Sequence, residues 1–221
     1  MKMSKFTRLV KQTGYCFVAD VQGSGMWLGN GHALFRAANL PLMEGREQVR
    51  TVLDIPEKAW EKIVLEEESY PGTTDVKGFD LSDCVQDEKQ TKKVRVSASL
   101  DGKWTSCRRC DDGELVFYRD GLLAPIMDDI EDSDYITYTI RRTGSGQSYL
   151  AIHDGMNLLA VIMPMEVLSD TYLAELAEFQ ALCTEQLWRD KAVASRRANS
   201  GGEGLEADAE QTEMEGQNEN Q

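Results

Sequence analysis

The sequence has no run of about 18 apolar residues, so no membrane-spanning helix is predicted. No apolar segment follows the first lysines, and the chain reads as cytoplasmic rather than secreted. Cysteine is sparse and odd in number: Cys16, Cys84, Cys107, Cys110 and Cys183 lie at scattered spacings, which fits reduced thiols and not a disulfide framework. The glycines never gather into GxGxxG or GxxxxGK[ST], so there is no cradle for a nucleotide phosphate. No GxSxG elbow or HExxH motif accompanies the two histidines. Positive charge is outnumbered. With 24 Lys and Arg against 38 Asp and Glu, the net charge is -14 and the pI about 4.6, so no global field draws the chain onto polyphosphate. Any such contact has to be local.

What is present is an ordinary globular composition, 41% apolar and 28% charged over 221 residues, enough to bury a core in one or two domains. Met3, Phe6, Leu9 and Val10 recur at helical spacing, and Gly14 is placed to end that helix. Tyr15–Val21, Met26–Leu28 and Ala33–Ala37, separated by Gln22-Gly23-Ser24-Gly25 and Asn30-Gly31, read as a β-meander. Gln48–Asp54 reads as a further strand. Asp54-Ile55-Pro56-Glu57 then supplies a capping acid and an early proline for a helix to about Leu65, with Ala59, Trp60, Ile63 and Val64 as its buried stripe.

Residues 66–92 read as a polar linker, with too few apolar positions for a core element. Val94–Leu100, Leu115–Tyr118, Tyr135–Arg141, Ser148–His153 and Leu158–Met163 read as antiparallel strands. Ser169 or Asp170 caps a final helix with a stripe of Leu173, Leu176, Phe179, Cys183 and Leu187, too short for a coiled-coil assignment. The expected organisation is α+β: antiparallel sheets with a few packed helices, divided into 1–65 (helix, meander, second helix), the linker 66–92, a β region with its C-terminal helix at 93–190, and a disordered acidic tail at 191–221. Residues 199–221 hold seven acids and no Lys or Arg. The residues show no internal repeat.

Few groups carry chemistry. Cys107-Arg108-Arg109-Cys110 is a lone CxxC where structural zinc needs four ligands, so two thiols at a β-turn is the simpler reading and Cys107 and Cys110 are weak metal candidates. His32 and His153 sit at apparent tight turns. Asp128-Asp129 and Glu131-Asp132 lack the ligand order of a calcium loop and read as a solvated acidic loop. No catalytic residue and no cofactor are assigned. The informative feature is the first helix, where Lys5, Arg8 and Lys11 follow Lys2 at three-residue steps with no acid among them; Lys58 and Lys62 form a smaller pair. Such a stripe is either a solvated face or a sequence-neutral contact to a phosphate backbone.

Two segments resemble parts of bacterial DNA sliding clamps. Leu28-Gly29-Asn30-Gly31-His32-Ala33-Leu34 is similar to a strand-turn-strand element of the Ala-Thr-Asp-Gly-His-Arg-Leu type, and Val161-Ile162-Met163-Pro164-Met165 resembles the Val-Met-Pro-Met segment that ends those proteins. Asn30 stands where the family has an acid and Ala33 where it has arginine; the second half shows no internal helix, and a long helix follows Met165. The resemblance implies a non-enzymatic replication accessory of the phage or bacterial type. Its Lys5, Arg8, Lys11, Lys58 and Lys62 would touch DNA without sequence preference, its copies would assemble into a ring, and its partner would be a DNA polymerase or other replication protein. The rival expectation is a β-rich phage or mobile-element assembly module that binds protein through its final helix and acidic tail.

Overall fold

A computed structural model describes residues 1–37, 40, 43, 45–100, 102–167 and 169–200. Its contacts divide the chain into two units, Met1–Val167 and Leu168–Gln221. The first unit is α+β, as expected.

Helix α1 (Met3–Thr13) buries Phe6, Leu9 and Val10, and Gly14 closes it at φ 68° with its N–H on the Val10 carbonyl at 2.9 Å, so the left-handed position falls on the residue without a Cβ. The meander follows as β1 (Tyr15–Val21), β2 (Gly25–Gly29) and β3 (Ala33–Arg36). β1 is apolar almost throughout because both of its faces are covered. Val18 faces the core beneath α1, while Phe17 and Ala19 enter a second core on the opposite face.

Gln48–Asp54 is not a strand. Arg46–Val52 forms helix α2, in which Val49 is buried and Arg50 pairs back to Glu47 at 2.9 Å. Val49 and Leu53, four apart and both buried, set a helical period that outweighs the β-branched residues around them. Asp54 takes φ 50° instead of capping, so the expected box does not form, and α3 is limited to Glu57–Trp60. Val64–Tyr70 is strand β4, which lies parallel to β1 from Tyr15↔Val64 to Val21↔Tyr70. Val64 thus begins a strand instead of finishing a helix, and of the expected stripe Ile63 is buried whereas Val64 is exposed.

The stretch read as a polar linker is built into the fold. After β4 come β5 (Asp75–Val76) and β6 (Phe79–Asp80), a short hairpin whose Val76 is fully buried, as is Leu81 just beyond it. These two residues, with Phe79, cover Trp27, Tyr149 and Ala151 on the second face of the sheet. Sparse apolar residues suffice because each is placed against a wall the sheet supplies.

β7 (Lys89–Leu100), β8 (Lys103–Cys110) and β9 (Leu115–Arg119) form a second meander. A 3-10 run, Asp120–Ile126, leads into α4 (Met127–Asp132). The acids expected in a loop therefore lie on a helix, where Asp129 holds the N-terminal amine at 2.8 Å and Asp128 holds Lys2. β10 (Ile136–Arg142), β11 (Ser148–Asp154) and β12 (Asn157–Ile162) complete a ten-stranded sheet of order β4-β1-β2-β3-β12-β11-β10-β7-β8-β9.

That order contains a repeat the sequence hides: a helical segment followed by a three-stranded antiparallel meander, once as α1 and β1–β3 and again as Asp120–Asp132 and β10–β12. The meanders β1–β3 and β10–β12 meet through their last strands, Ala33↔Ile162 to Phe35↔Ala160, antiparallel. The helical segments lie on the same side, with the Lys2 N–H on the Pro125 carbonyl. Beyond β12, Met165 donates to the Phe117 carbonyl of β9 at 2.7 Å, bringing the end of the sheet back toward its middle.

In the second unit, α5 spans Asp170–Ser200. Residues 191–200, expected within the disordered tail, continue this helix; the acidic tail from 201 onward lies outside the described residues.

Candidate nucleic-acid interface

The outer face of α1, the tip of the β7–β8 hairpin, the β2–β3 turn and the start of the 3-10 run surround one open cleft of about 630 Å³. Its floor is apolar, formed by Leu9 and Leu122, both largely buried. Its walls carry Lys5, Arg8, Lys103 and Arg119, with Asp120 as the one carboxylate among the lining residues. Helical geometry places Lys5 and Arg8 three apart on one side of α1, above the Phe6, Leu9 and Val10 that anchor it. β8–β9 pairing sets Arg119 opposite Thr105, two positions from Lys103.

No acid within 4 Å pairs with Lys5, Arg8, Lys103 or Arg119 among the described residues; Arg119 Nε instead points at Met165 Sδ, 3.1 Å away. Lys2, by contrast, is neutralised by Asp128. Other cations share the lack of an ion pair among the described residues, Lys11, Lys58 and Lys62 included; Lys5, Arg8, Lys103 and Arg119 differ in lining one cleft of a chain whose net charge is -14. Their field is felt by His32 at the rim. Partial desolvation, then Arg119 and Lys103, push its imidazole below the ordinary histidine range.

The β2–β3 turn that holds His32 is fixed by Asn30. Its Oδ1 accepts the N–H groups of His32 at 3.1 Å and Ala33 at 2.9 Å, and Gly31 supplies φ 85°. An aspartate at this position would offer the same acceptor.

Of the five cations expected from sequence, the cleft gathers Lys5 and Arg8. Lys11 is exposed farther along α1, and Lys58 and Lys62 are exposed on the segment around α3; none of the three lines the cleft. Sequence reading missed Lys103, Arg119 and Trp104. Trp104 is 64% exposed beside Lys103 at the hairpin tip. A tryptophan directly after Asp101-Gly102-Lys103, a turn dipeptide followed by a lysine, was a usable signal.

The other groups have structural roles. Cys107 and Cys110 lie in strand β8 and not at a turn, three residues apart, each 1% exposed. Burial raises both thiols above their usual range, as it does Cys16, pushed up to about 12. Cys110 has Asp112 and Glu114 within ligand distance, but those carboxylates are engaged by Lys89 and Arg142, and Cys107 takes no part. His153 is buried, with Nε2 3.2 Å from Thr139 Oγ1 and 3.5 Å from Glu88 Oε2. A catalytic triad places its hydroxyl and its acid on opposite ring nitrogens; here both crowd one nitrogen.

On α5 the side chains of Leu176, Phe179, Leu187 and Trp188 are exposed. No family model, no curated protein and no solved structure matches this chain.

Proposed function

We propose that the protein is a clamp-like DNA-replication accessory that touches the nucleic-acid backbone without reading its sequence. The observation that carries this reading is the cleft itself: four cations, none in an ion pair among the described residues, line it together from α1, the tip of the β7–β8 hairpin and the end of β9, in a molecule of net charge -14. Phosphate contact needs presented Lys and Arg and no base-edge readers. The excess of acid elsewhere keeps attachment weak enough to move. The repeated unit of helical segment and three-stranded meander, with both helical segments on one side of a continuous sheet, supports the clamp-like part of the reading.

Retention on closed circular and linear duplex DNA, combined with the mass in solution, tests it. A ring of copies stays on circles and runs off free ends. Equal loss from both, with the mass of one chain, removes the topological part.

The exposed apolar side chains of α5 favour a second reading, a protein-binding assembly module. It predicts no measurable DNA affinity in low salt and a partner contact that is lost when Leu176 and Phe179 are changed to Ser.

A further inference from the structure

Trp104 has no structural task that explains its position. It is 64% exposed, whereas its neighbour Thr105 is fully buried and holds the hairpin through a 2.8 Å bond to the Ala98 carbonyl. Large aromatic surface left in water at the wall of a cationic cleft is the arrangement used to stack nucleobases. The ring supplies a sequence-tolerant π-face and the cations track the phosphates. Duplex DNA satisfies the cations but has no use for the ring, because its bases are already stacked on one another. A strand whose bases are free uses both.

Resting on the backbone-contact reading above, we infer that the cleft takes an unpaired nucleic-acid strand, with its phosphates along Lys5, Arg8, Lys103 and Arg119 and one base stacked on Trp104. The volume, about 630 Å³, falls within the roughly 300–1,000 Å³ range of small-ligand sites. The apolar floor of Leu9 and Leu122 suits a base or sugar better than a bare phosphate. His32, held toward its neutral form by partial desolvation and then by Arg119 and Lys103, adds a ring at the rim without adding charge. The ligand class is thus single-stranded DNA or RNA.

Fluorescence anisotropy of the full chain with a labelled oligo-dT, a duplex of equal phosphate number and heparin, each across a salt series, tests the inference. The unpaired strand is expected to bind about tenfold tighter than the duplex. Trp104→Ala is expected to lose about tenfold on oligo-dT, to leave duplex affinity and the oligo-dT salt slope unchanged, and to be largely rescued by Trp104→Phe. Lys5→Glu with Arg8→Glu weakens both ligands and flattens both slopes. If Trp104→Ala binds oligo-dT as the parent does, or if heparin binds as well as oligo-dT and feels the same variants equally, the stacking inference is overturned. The backbone-contact reading survives in the first case, provided the charge variants still lose the duplex. Failure of duplex and oligo-dT alike overturns both.

Discussion

Arg141 of β10 and Glu88, the residue before β7, form an ion pair inside the molecule. The Arg141 side chain is 1% exposed and that of Glu88 16%, and Arg141 Nη1 also donates to the carbonyls of Asp80 and Ser82 at 2.7 and 2.8 Å. Tyr149 adds a second tie, accepting the Asp80 N–H at 3.0 Å on its hydroxyl. Residues 80–88 are thereby fastened to the central strands by a buried charge, and the segment that hydropathy marks as a spacer is a structural strap.

Removing one member of this pair strands the other in low dielectric. Arg141→Ala is expected to lower unfolding free energy by roughly 3–5 kcal/mol. Arg141→Met with Glu88→Leu, which removes both charges at similar volume, should recover most of the loss. Urea unfolding measures both, and a single variant within about 0.5 kcal/mol of the parent contradicts the strap.

The Lys77 ammonium and the Tyr15 hydroxyl hold Glu66 down to about 2, from an ordinary value near 4.5. A carboxylate with a lowered folded value adds its stability in full above about 4.5 and loses it as pH falls through about 2. The melting-temperature gap between the parent and Glu66→Gln is therefore expected to be widest above pH 5 and to close toward pH 2. The effect is modest, because both partners remain more than a third exposed. A gap that stays constant over that window contradicts the assignment.

Thiol accessibility follows burial. Cys84 and Cys183 are exposed, while Cys16, Cys107 and Cys110 are buried with raised thiols. A disulfide-exchange reagent at pH 8 should titrate two thiols rapidly in the native protein and five after denaturation. Rapid reaction of four or five in the native state would contradict the packing of β8.

The opening helix, its glycine stop and the strands β1–β3 and β10–β12 were legible because each carries a local signal: helical spacing, a left-handed position, or apolar runs between Gly-rich turns; β8, whose Cys107-Arg108-Arg109-Cys110 was read as a turn, was not. Three features were not legible for physical reasons. Val49 and Leu53 make α2 a helix through contacts made only in the folded state. Val76, Phe79 and Leu81 are too few to show as a core element, and they are buried only because the sheet meets them. Half of the cationic cleft, Lys103 and Arg119, is brought to Lys5 and Arg8 across more than ninety residues by strand pairing, which no local pattern encodes.

The central claim is that the cleft cations touch phosphate, and the salt dependence of affinity for a duplex oligonucleotide tests it most directly. Each phosphate contact contributes about 0.9 to the slope of log affinity against log salt. The double variant Lys5→Gln with Arg8→Gln, with unchanged circular dichroism, is expected to bind more weakly and with a slope shallower by about 2. A slope identical to that of the parent would show that these side chains do not meet the backbone.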